Sequence, residues 1–380
     1  MRRNLVLTCI ALVAVVALVL AGCGPSDTTT TSPTSTEKET PPEKINLKFA
    51  SYFPTAASQS KLLEDFCADI NERTNGRVTI DFYGGGSLLG ATKVYDGVMS
   101  KVADIGFTHV EYTRGRFPVM EMLDLPHGYP SAWVGSHVAN DFYREFEPEE
   151  WEGAHILWFN TSPINELITA EKRVTTLEDV KGLTIRGPGH IGDVVKALGG
   201  TPKPIPLMEA YEALARGVID ASMTPIETLQ SFNLADAAKY VTPCWQVGNL
   251  YTFYTVMNED VWDSLPSDVQ NTFDEVCKEY EEKAAKVWNE TDTVGAEFAV
   301  EEKGVEFVEL APGEVEKWKK AVDPLIEGYV EELESQGHSA DKLQRQLDFI
   351  NERIEYWTNK QAEEGVMSMT GPDEIRLDME

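Results

Sequence analysis

Apolar and polar positions alternate early in the chain in a pattern that predicts strands separated by helices. Residues 45–51 and 77–83 alternate as strands do, and residues 104–108 form a short apolar run. Residues 61–73 and 91–102 instead carry apolar side chains at helical spacing. This order predicts a parallel sheet with crossover helices, in which ligands bind beyond the carboxyl ends of the strands.

A second unit with the same alternation follows the first. Its predicted strands are residues 155–159, 165–169, 183–186 and 219–223, with an extended segment at 203–206, and its predicted helices are residues 191–198 and 208–216. Residues 251–257 have the pattern of a strand that returns to the first sheet. Charged helices are predicted farther on, over residues 268–286, 312–336 and 340–360.

The predicted fold class is therefore α/β, with two lobes, a cleft between them and long C-terminal helices. We place lobe I at residues 45–163 plus 252–291. Lobe II then comprises residues 164–251 plus 292–380.

The N-terminus has the features of an export signal. Arg2 and Arg3 precede an apolar run over residues 5–20, and Leu-Ala-Gly then leads to Cys23. The run is too short for a comfortable membrane span. Leu-Ala-Gly-Cys resembles a lipobox, in which Cys23 is lipidated and becomes the new first residue. A plain signal peptide or an uncleaved anchor, with Cys23 incidental, is the alternative.

We therefore expect a signal peptide at residues 1–22 and a lipidated tether at residues 23–44. The tether is rich in Thr, Ser, Pro, Glu and Lys and is almost free of apolar residues, so we expect it to be disordered. The formal net charge of −30 makes nucleic acid and anionic lipid headgroups poor partners. Contact with the membrane is expected through the lipid anchor alone.

The cysteines do not form a disulfide framework. Cys9 leaves with the signal and Cys23 is lipidated, so Cys67, Cys244 and Cys277 permit at most one disulfide. The chain has no Cys-x-x-Cys pair and no histidine at zinc spacing to a cysteine. We expect neither a metal nor a cofactor.

Motifs for catalysis are also missing from the sequence. The glycine run at residues 84–86 lacks the Gly-Lys-Ser/Thr ending of a phosphate loop and the spacing of a dinucleotide fingerprint. No Gly-x-Ser-x-Gly elbow occurs. Arg186 stands out because it ends an apolar strand and precedes Gly-Pro-Gly. Its planar fork matches a carboxylate, but pairing with a structural acid explains it equally well.

Several segments, taken in order, resemble the substrate-binding proteins of TRAP (tripartite ATP-independent periplasmic) transporters, in their dicarboxylate-type family. Residues 177–186, Leu-Glu-Asp-Val-Lys-Gly-Leu-Thr-Ile-Arg, carry the clearest resemblance. Further matches are Asn-Gly-Arg-Val at 75–78, Asp-Leu-Pro at 124–126, Leu-Gly-Gly-Thr-Pro at 198–202, Glu-Ala-Tyr-Glu-Ala-Leu-Ala-Arg-Gly-Val-Ile-Asp at 209–220, Lys-Tyr-Val-Thr at 239–242 and Met-Asn-Glu-Asp-Val-Trp-Asp-Ser-Leu-Pro at 257–266.

The resemblance implies a periplasmic-binding-protein-like fold that closes around its ligand by hinge motion. It implies a receptor without catalysis, exported and anchored outside the cytoplasmic membrane, that serves a small and a large integral membrane subunit. Transport in this family is driven by an ion gradient. The arginine at the position of Arg186 clamps the ligand carboxylate in this family.

The chain departs from the family pattern at several pocket positions. Asn165 stands where sugar-acid receptors often have a second arginine, and Thr224 replaces an asparagine. Other matching positions hold Tyr52, His109 and Leu207. We therefore predict a compact carboxylate with an apolar, branched or aromatic body, held by Arg186 and Asn165.

Two further residues, Tyr211 and Glu227, are expected to line the pocket, although Tyr211 fits core packing equally well. A C4-dicarboxylate stays open if His109 or Lys203 serves a second carboxylate. An ATP-driven importer's receptor, a ligand sensor for a signalling receptor and an extracellular hydrolase are the alternative functions. The sequence leaves the exact ligand, the affinity, the oligomeric state and the type of cell envelope undetermined.

Overall fold

The computed structural model describes residues 43–377 of the 380-residue chain. The expected signal peptide, Cys23 and all but the last two residues of the expected tether lie outside the described residues. None of the helices within residues 43–377 combines the length and the apolar character needed to cross a membrane.

Eleven strands occur in the described part of the chain. They are β1 (Ile45–Ser51), β2 (Val78–Tyr83), β3 (Ile105–His109), β4 (Ala154–Thr161), β5 (Glu166–Thr169), β6 (Thr184–Arg186), β7 (Thr201–Lys203), β8 (Ala221–Thr224), β9 (Tyr240–Thr242), β10 (Thr252–Asn258) and β11 (Glu306–Phe307).

Twelve α-helices connect or cover these strands within residues 43–377. They are α1 (Ser58–Arg73), α2 (Val94–Met99), α3 (Ala132–Phe146), α4 (Leu177–Val180), α5 (Gly189–Ala197), α6 (Ala210–Ala215), α7 (Thr228–Ser231), α8 (Glu259–Ser264), α9 (Ser267–Glu301), α10 (Glu314–Val322), α11 (Pro324–Ser335) and α12 (Ala340–Glu364).

The first sheet has the order β2-β1-β3-β10-β4. Strands β2 and β3 pair parallel to β1, whereas β10 runs antiparallel between β3 and β4. The predicted parallel β-α-β-α-β unit and the predicted return of residues 251–257 to this sheet are both confirmed. The carboxyl ends of β1 and β3 lead to Tyr52 and His109, so the parallel pairing brings these two side chains to one edge.

The second sheet has the order β11-β9-β5-β8-β6-β7. Strands β7 and β8 pair parallel to β6, while β5 runs antiparallel to β8 and β9. Arg186 is the last residue of β6 and lies beside Lys203 and Ser222 in the register. The predicted two-sheet α/β class is confirmed. The second sheet presents Arg186 and Thr224 at strand ends, as the first sheet presents Tyr52 and His109.

Two chain segments cross between the sheets side by side. Ser162 donates its amide to the carbonyl of Tyr251 at 2.9 Å, and Asn165 donates to that of Asn249 at 2.9 Å. Asp124 fixes the crossing from outside, because its carboxylate accepts the Thr252 amide at 2.8 Å and its carbonyl accepts the Asn249 side chain at 2.8 Å. These bonds make the crossing a two-stranded connection between the lobes.

The 35-residue helix α9 also serves both lobes. It packs against α1 and β4 of the first sheet layer and against α7, which follows β8 of the second. The last long helix, α12, packs against α3, which in turn covers β4. How the chain outside the two sheets divides between the lobes stays a prediction.

Several element boundaries differ from the sequence prediction. Helix α3 was not predicted, and residues 312–336 form two helices because Pro324 begins a new helix, α11. The helix predicted over residues 268–286 continues to Glu301 as α9. Proline supplies the physical reason for the break, since it cannot donate the helical hydrogen bond and fits only the first turn.

The cysteines within residues 43–377, Cys67, Cys244 and Cys277, are free and buried. Burial raises the pKa of Cys67 to about 12 and raises those of Cys244 and Cys277 well above the usual thiol value. A thiolate is the reactive form of cysteine, so these three thiols are inert at neutral pH.

Helix α9 passes so close to the second lobe that only glycine fits at position 295. A Cβ there would lie 2.6 Å from Glu227 Cα and 2.9 Å from the Ile226 carbonyl oxygen. Gly295→Ala should therefore lower the free energy of unfolding by about 1–3 kcal/mol through overpacking. Urea denaturation followed by circular dichroism measures this change.

Gly328 in α11 provides the matched control, because nothing lies within 4 Å of its ideal Cβ. Gly328→Ala should raise the unfolding free energy by about 0.5–1 kcal/mol, since alanine favours a helix interior. Equal effects of the two substitutions would contradict the close approach of α9 to Glu227.

Candidate functional site

Arg186 is the centre of the site. Its side chain is only 1% exposed, at the carboxyl end of β6 where Gly187 and Pro188 turn the chain into α5. Nε donates to the Ile205 carbonyl at 3.2 Å, and one terminal nitrogen donates to the Tyr251 hydroxyl at 2.8 Å. Among residues 43–377 no carboxylate forms an ion pair with Arg186. A buried positive charge thus faces the cleft without a counter-charge from the described chain.

Aromatic rings surround this guanidinium. His109, at the end of β3, has its ring centroid 3.9 Å from that of Tyr112 and 4.6 Å from that of Tyr251. Tyr52, just after β1, lies edge-on to Tyr112 at 5.4 Å and to His109 at 6.2 Å. The Arg186 guanidinium is 5.8 Å from the Tyr251 ring centroid. We call Tyr52, His109, Tyr112 and Tyr251 the aromatic wall.

The aromatic wall carries no charge of its own at neutral pH. Burial, followed by the positive charge of Arg186, lowers the pKa of His109 well below its usual value, so the imidazole is neutral. Burial raises the pKa values of Tyr52 and Tyr251 above the usual phenol value. Arg186 is consequently the one cation in this group of five residues.

Several buried polar atoms at the site have no hydrogen-bond partner within the part of the chain that the structure describes. They include His109 Nδ1, Asn165 Oδ1, Ser222 Oγ and Thr224 Oγ1. Buried polar groups are nearly always paired, and an unpaired one costs about 1–3 kcal/mol. These atoms are candidates for contact with a polar ligand.

Asn165 uses its donor group inside the protein. Its Nδ2 donates at 2.7 Å to the Asn249 carbonyl in the crossing segments, whereas its Oδ1 acceptor has no partner within residues 43–377. An acceptor suits a hydroxyl or a water better than a carboxylate. In this geometry Asn165 positions the crossing, and its expected role as a partner of the ligand carboxylate stays a prediction.

The remaining predicted residues, Leu207, Glu227 and Tyr211, differ in their contacts. The amide of Leu207 donates to the Tyr112 hydroxyl at 3.1 Å, which links the second lobe to the aromatic wall. The Glu227 carboxylate accepts from Ser231, and burial raises the pKa of Glu227 to about 7. Tyr211 is partly exposed on α6, and no aromatic pair within residues 43–377 joins it to the aromatic wall.

The cleft mouth lies beside these residues. A cavity of about 450 Å³ is lined on one side by Thr92, Glu111, Tyr112 and Arg114 of the first lobe. The opposite lining comes from residues 187–196 and 202–206 of the second lobe, including Gly187 and Ile205. The lining thus includes Tyr112 of the aromatic wall and Ile205, whose carbonyl accepts from Arg186.

The structure joins Tyr52, His109 and Arg186 as predicted from opposite lobes, but sequence reasoning missed Tyr112 and Tyr251. Tyr251 was assigned only to a strand that returns to the first sheet. Tyr112 follows His109 by three residues and lies in a 3-10 turn. Neither tyrosine carries a local motif, since its role arises from contacts between distant segments.

Comparison with known proteins identifies a family to which this chain is similar. The family model described as "Bacterial extracellular solute-binding protein, family 7" matches residues 49–333. A protein named "Solute-binding protein" from Albidiferax ferrireducens is 24% identical over 285 residues, which cover 72% of this chain and 83% of that protein. A Nostoc protein named as monocarboxylate 2-oxoacid-binding and periplasmic is 29% identical over 222 residues, covering 54% and 57% of the two chains.

Solved structures agree with this family. A TRAP periplasmic solute-binding protein from Desulfovibrio salexigens is similar with a TM-score of 0.72 and 28% identity, covering 82% of this chain and 97% of that one. A TRAP solute-binding protein from Rhodoferax ferrireducens, in complex with benzoate, has a TM-score of 0.78 and 22% identity, covering 83% and 99%. The chain thus belongs to bacterial extracellular solute-binding protein family 7, the family of the TRAP periplasmic receptors.

Proposed function

We propose that this protein captures a small organic acid outside the cytoplasm through the acid's carboxylate and delivers it to the membrane subunits of a TRAP-type secondary transporter. Arg186 holds the carboxylate, the aromatic wall holds the body of the ligand, and the lobes close around both. The receptor acts by binding and closure, without a catalytic step. Cys23 carries a lipid that keeps it at the outer face of the cytoplasmic membrane.

The observation that carries this proposal is the buried, uncompensated charge of Arg186. A guanidinium is always protonated in proteins, and burying an unpaired ion costs several kcal/mol. A carboxylate ligand would supply the missing charge and two parallel hydrogen bonds to the planar fork. Binding of a carboxylate therefore stabilises the closed protein, because none of the described side chains neutralises the charge of Arg186.

The aromatic wall supports a ligand with an apolar or aromatic body. Three tyrosines and a neutral histidine offer flat apolar surface and few hydrogen bonds. A polyhydroxylated acid needs many fixed partners and is therefore disfavoured. The benzoate in the Rhodoferax receptor makes aromatic acids a sensible first probe.

A C4-dicarboxylate is the second candidate, and it requires another cation. His109 does not supply it, because its imidazole is neutral at neutral pH. Lys203, which pairs with Arg186 in the register of β6 and β7, is the cation that would serve a second carboxylate. Binding of succinate that is lost in Lys203→Met would favour this candidate.

Arg186→Met tests the cost of the unpaired charge. Methionine keeps an unbranched apolar stem and removes the charge, so the ligand-free protein should gain about 1 kcal/mol or more in unfolding free energy. Arg353→Met is the control, because Arg353 pairs with Asp141 and its loss should cost up to about 1 kcal/mol. Urea denaturation of both variants gives the comparison, and a large loss in Arg186→Met would contradict the unpaired charge.

A thermal-shift screen tests ligand capture. Benzoate, 3-hydroxybenzoate, mandelate, 2-oxoacids, succinate and D-glucuronate are compared on the wild type, Arg186→Met and Arg186→Lys. A ligand at 100 times its dissociation constant should stabilise the wild type by about 2.7 kcal/mol. Both variants should respond far less, because lysine lacks the bidentate fork. An equal thermal shift in Arg186→Met would contradict the role of Arg186 as the carboxylate anchor. Binding of glucuronate alone would contradict the proposed apolar body of the ligand.

Lipid attachment is tested at Cys23. Cells expressing the full chain and supplied with radiolabelled palmitate should label the wild type and leave Cys23→Ser unlabelled. The wild type should stay with the membrane fraction, because a diacylated chain buries many CH₂ groups at about 0.8 kcal/mol each. Cys23→Ser should leave the membrane fraction, and membrane retention without label would indicate an uncleaved anchor.

A further inference from the structure

A buried carboxylate of the first lobe contacts the start of helix α5 in the second lobe at the cleft mouth. Glu111 follows β3, and its Oε1 and Oε2 accept the backbone amide of His190 at 2.9 and 3.0 Å. Both residues are 3% exposed. Helix α5 is nine residues long, and a helix N-terminus favours a negative charge. The contact therefore spans the cleft and depends on the closed arrangement of the lobes.

Gly189 makes this contact possible. It adopts a left-handed φ of +52°, and a Cβ on it would lie 1.3 Å from Glu111 Oε2. Any other residue at position 189 would overlap the carboxylate. Gly182 has a similar left-handed φ of +80°, but nothing lies within 4 Å of its ideal Cβ. Substitutions at Gly189 and Gly182 therefore separate the effect of backbone strain from the effect of the contact with Glu111.

Further charged groups cross the cleft beside Glu111. Arg114 of the first lobe donates to Asp193 in α5 at 2.6 Å. The His190 imidazole lies 3.3 Å from Glu121, which belongs to a 3-10 turn near Arg114, and 3.5 Å from Asp193. Three carboxylates and two cationic side chains thus meet at one interface between the lobes.

We propose that Glu111, Gly189, His190 and the Arg114–Asp193 pair form a latch that holds the two lobes closed over the ligand. The latch acts on the same cleft that captures the carboxylate, so this inference rests on the proposed function. It lies at the mouth, beyond Arg186, so it adds closing energy without contacting the carboxylate. Ligand release then requires the latch to open.

The latch also makes closure depend on pH. Burial, moderated by His190, raises the pKa of Glu111 to about 7. Burial opposes the charge on His190, but Asp193, Glu121 and Glu111 outweigh it and raise the pKa of His190 to about 10. Both closed-state values exceed the ordinary ones, so the closed state binds more protons than an open state that exposes these groups.

The sign of the effect follows from these two shifts. Glu111 favours closure below about pH 4.5 and loses that contribution as the pH rises to about 7, while His190 loses its contribution between about pH 6.5 and 10. Other titratable side chains near Glu111 and His190 are Asp124, Tyr251 and Tyr329. Burial raises the pKa of Asp124, so it does not reverse the trend. Closure should therefore weaken as the pH rises from 6 to 9.

Single-molecule fluorescence transfer between the lobes measures closure directly. Dyes are attached to Lys61→Cys on α1 and Glu212→Cys on α6, whose native side chains are 71% and 59% exposed. The closed-to-open ratio is recorded without ligand and with increasing benzoate, at pH 6 and pH 9. The variants are Glu111→Ala, Gly189→Ala, their double mutant and the control Gly182→Ala.

Glu111→Ala should lower the closed-to-open ratio about tenfold, since it removes both acceptor oxygens and leaves the buried His190 amide without a partner. Gly189→Ala should lower it at least as much, the double mutant should add little to either, and Gly182→Ala should resemble the wild type. The fall between pH 6 and pH 9 should be smaller in His190→Gln than in the wild type.

Three results would overturn the latch: an unchanged ratio in Glu111→Ala, an equal loss in Gly182→Ala and Gly189→Ala, or no closed population in any sample. A closed population that depends on Glu111 but ignores benzoate and every other carboxylate of the panel would leave the latch standing. That outcome would instead reject the proposed capture of a carboxylate.

Discussion

A positive charge buried without a partner of opposite sign is the constraint on which the arrangement of this protein depends. Arg186 is held by one backbone carbonyl and one phenol, both neutral acceptors. Their dipoles solvate the guanidinium only in part, so the protein alone does not recover the cost of burying it. Because none of the described carboxylates forms an ion pair with Arg186, the charge stays free to attract an anion from outside the protein. The crossing segments and α9 join the two lobes.

The sequence predicted those parts of the fold in which one face of an element is buried. Strand β1 alternates between buried and exposed side chains over residues 45–49, and its apolar pattern is correspondingly clear. Helix α3 was missed because it is covered by β4 on one side and by α9 and α12 on others. Its buried residues include Ser136 and Asn140 as well as apolar ones. A helix buried on several faces has no single apolar stripe for periodicity to detect.

The residues of the candidate site divide in the same way. Arg186 was singled out because it ends a predictable strand and matches the family pattern, whereas Tyr52 and His109 were predicted from the resemblance alone. Tyr112 and Tyr251 were missed because a tyrosine is equally common in cores. Asn165 shows a further limit, since only the structure reveals that its amide nitrogen is already bonded to Asn249. Residue type predicts which bonds a side chain can form, whereas the fold decides which of them are already made.

The free cysteines have a consequence for where this protein can operate. Cys67, Cys244 and Cys277 are buried and remain protonated as thiols, and none of the bonds within residues 43–377 depends on an oxidant. The fold of this part of the chain therefore forms without oxidative folding catalysts. A strongly reducing, oxygen-free surrounding would leave its lobes and its cleft intact.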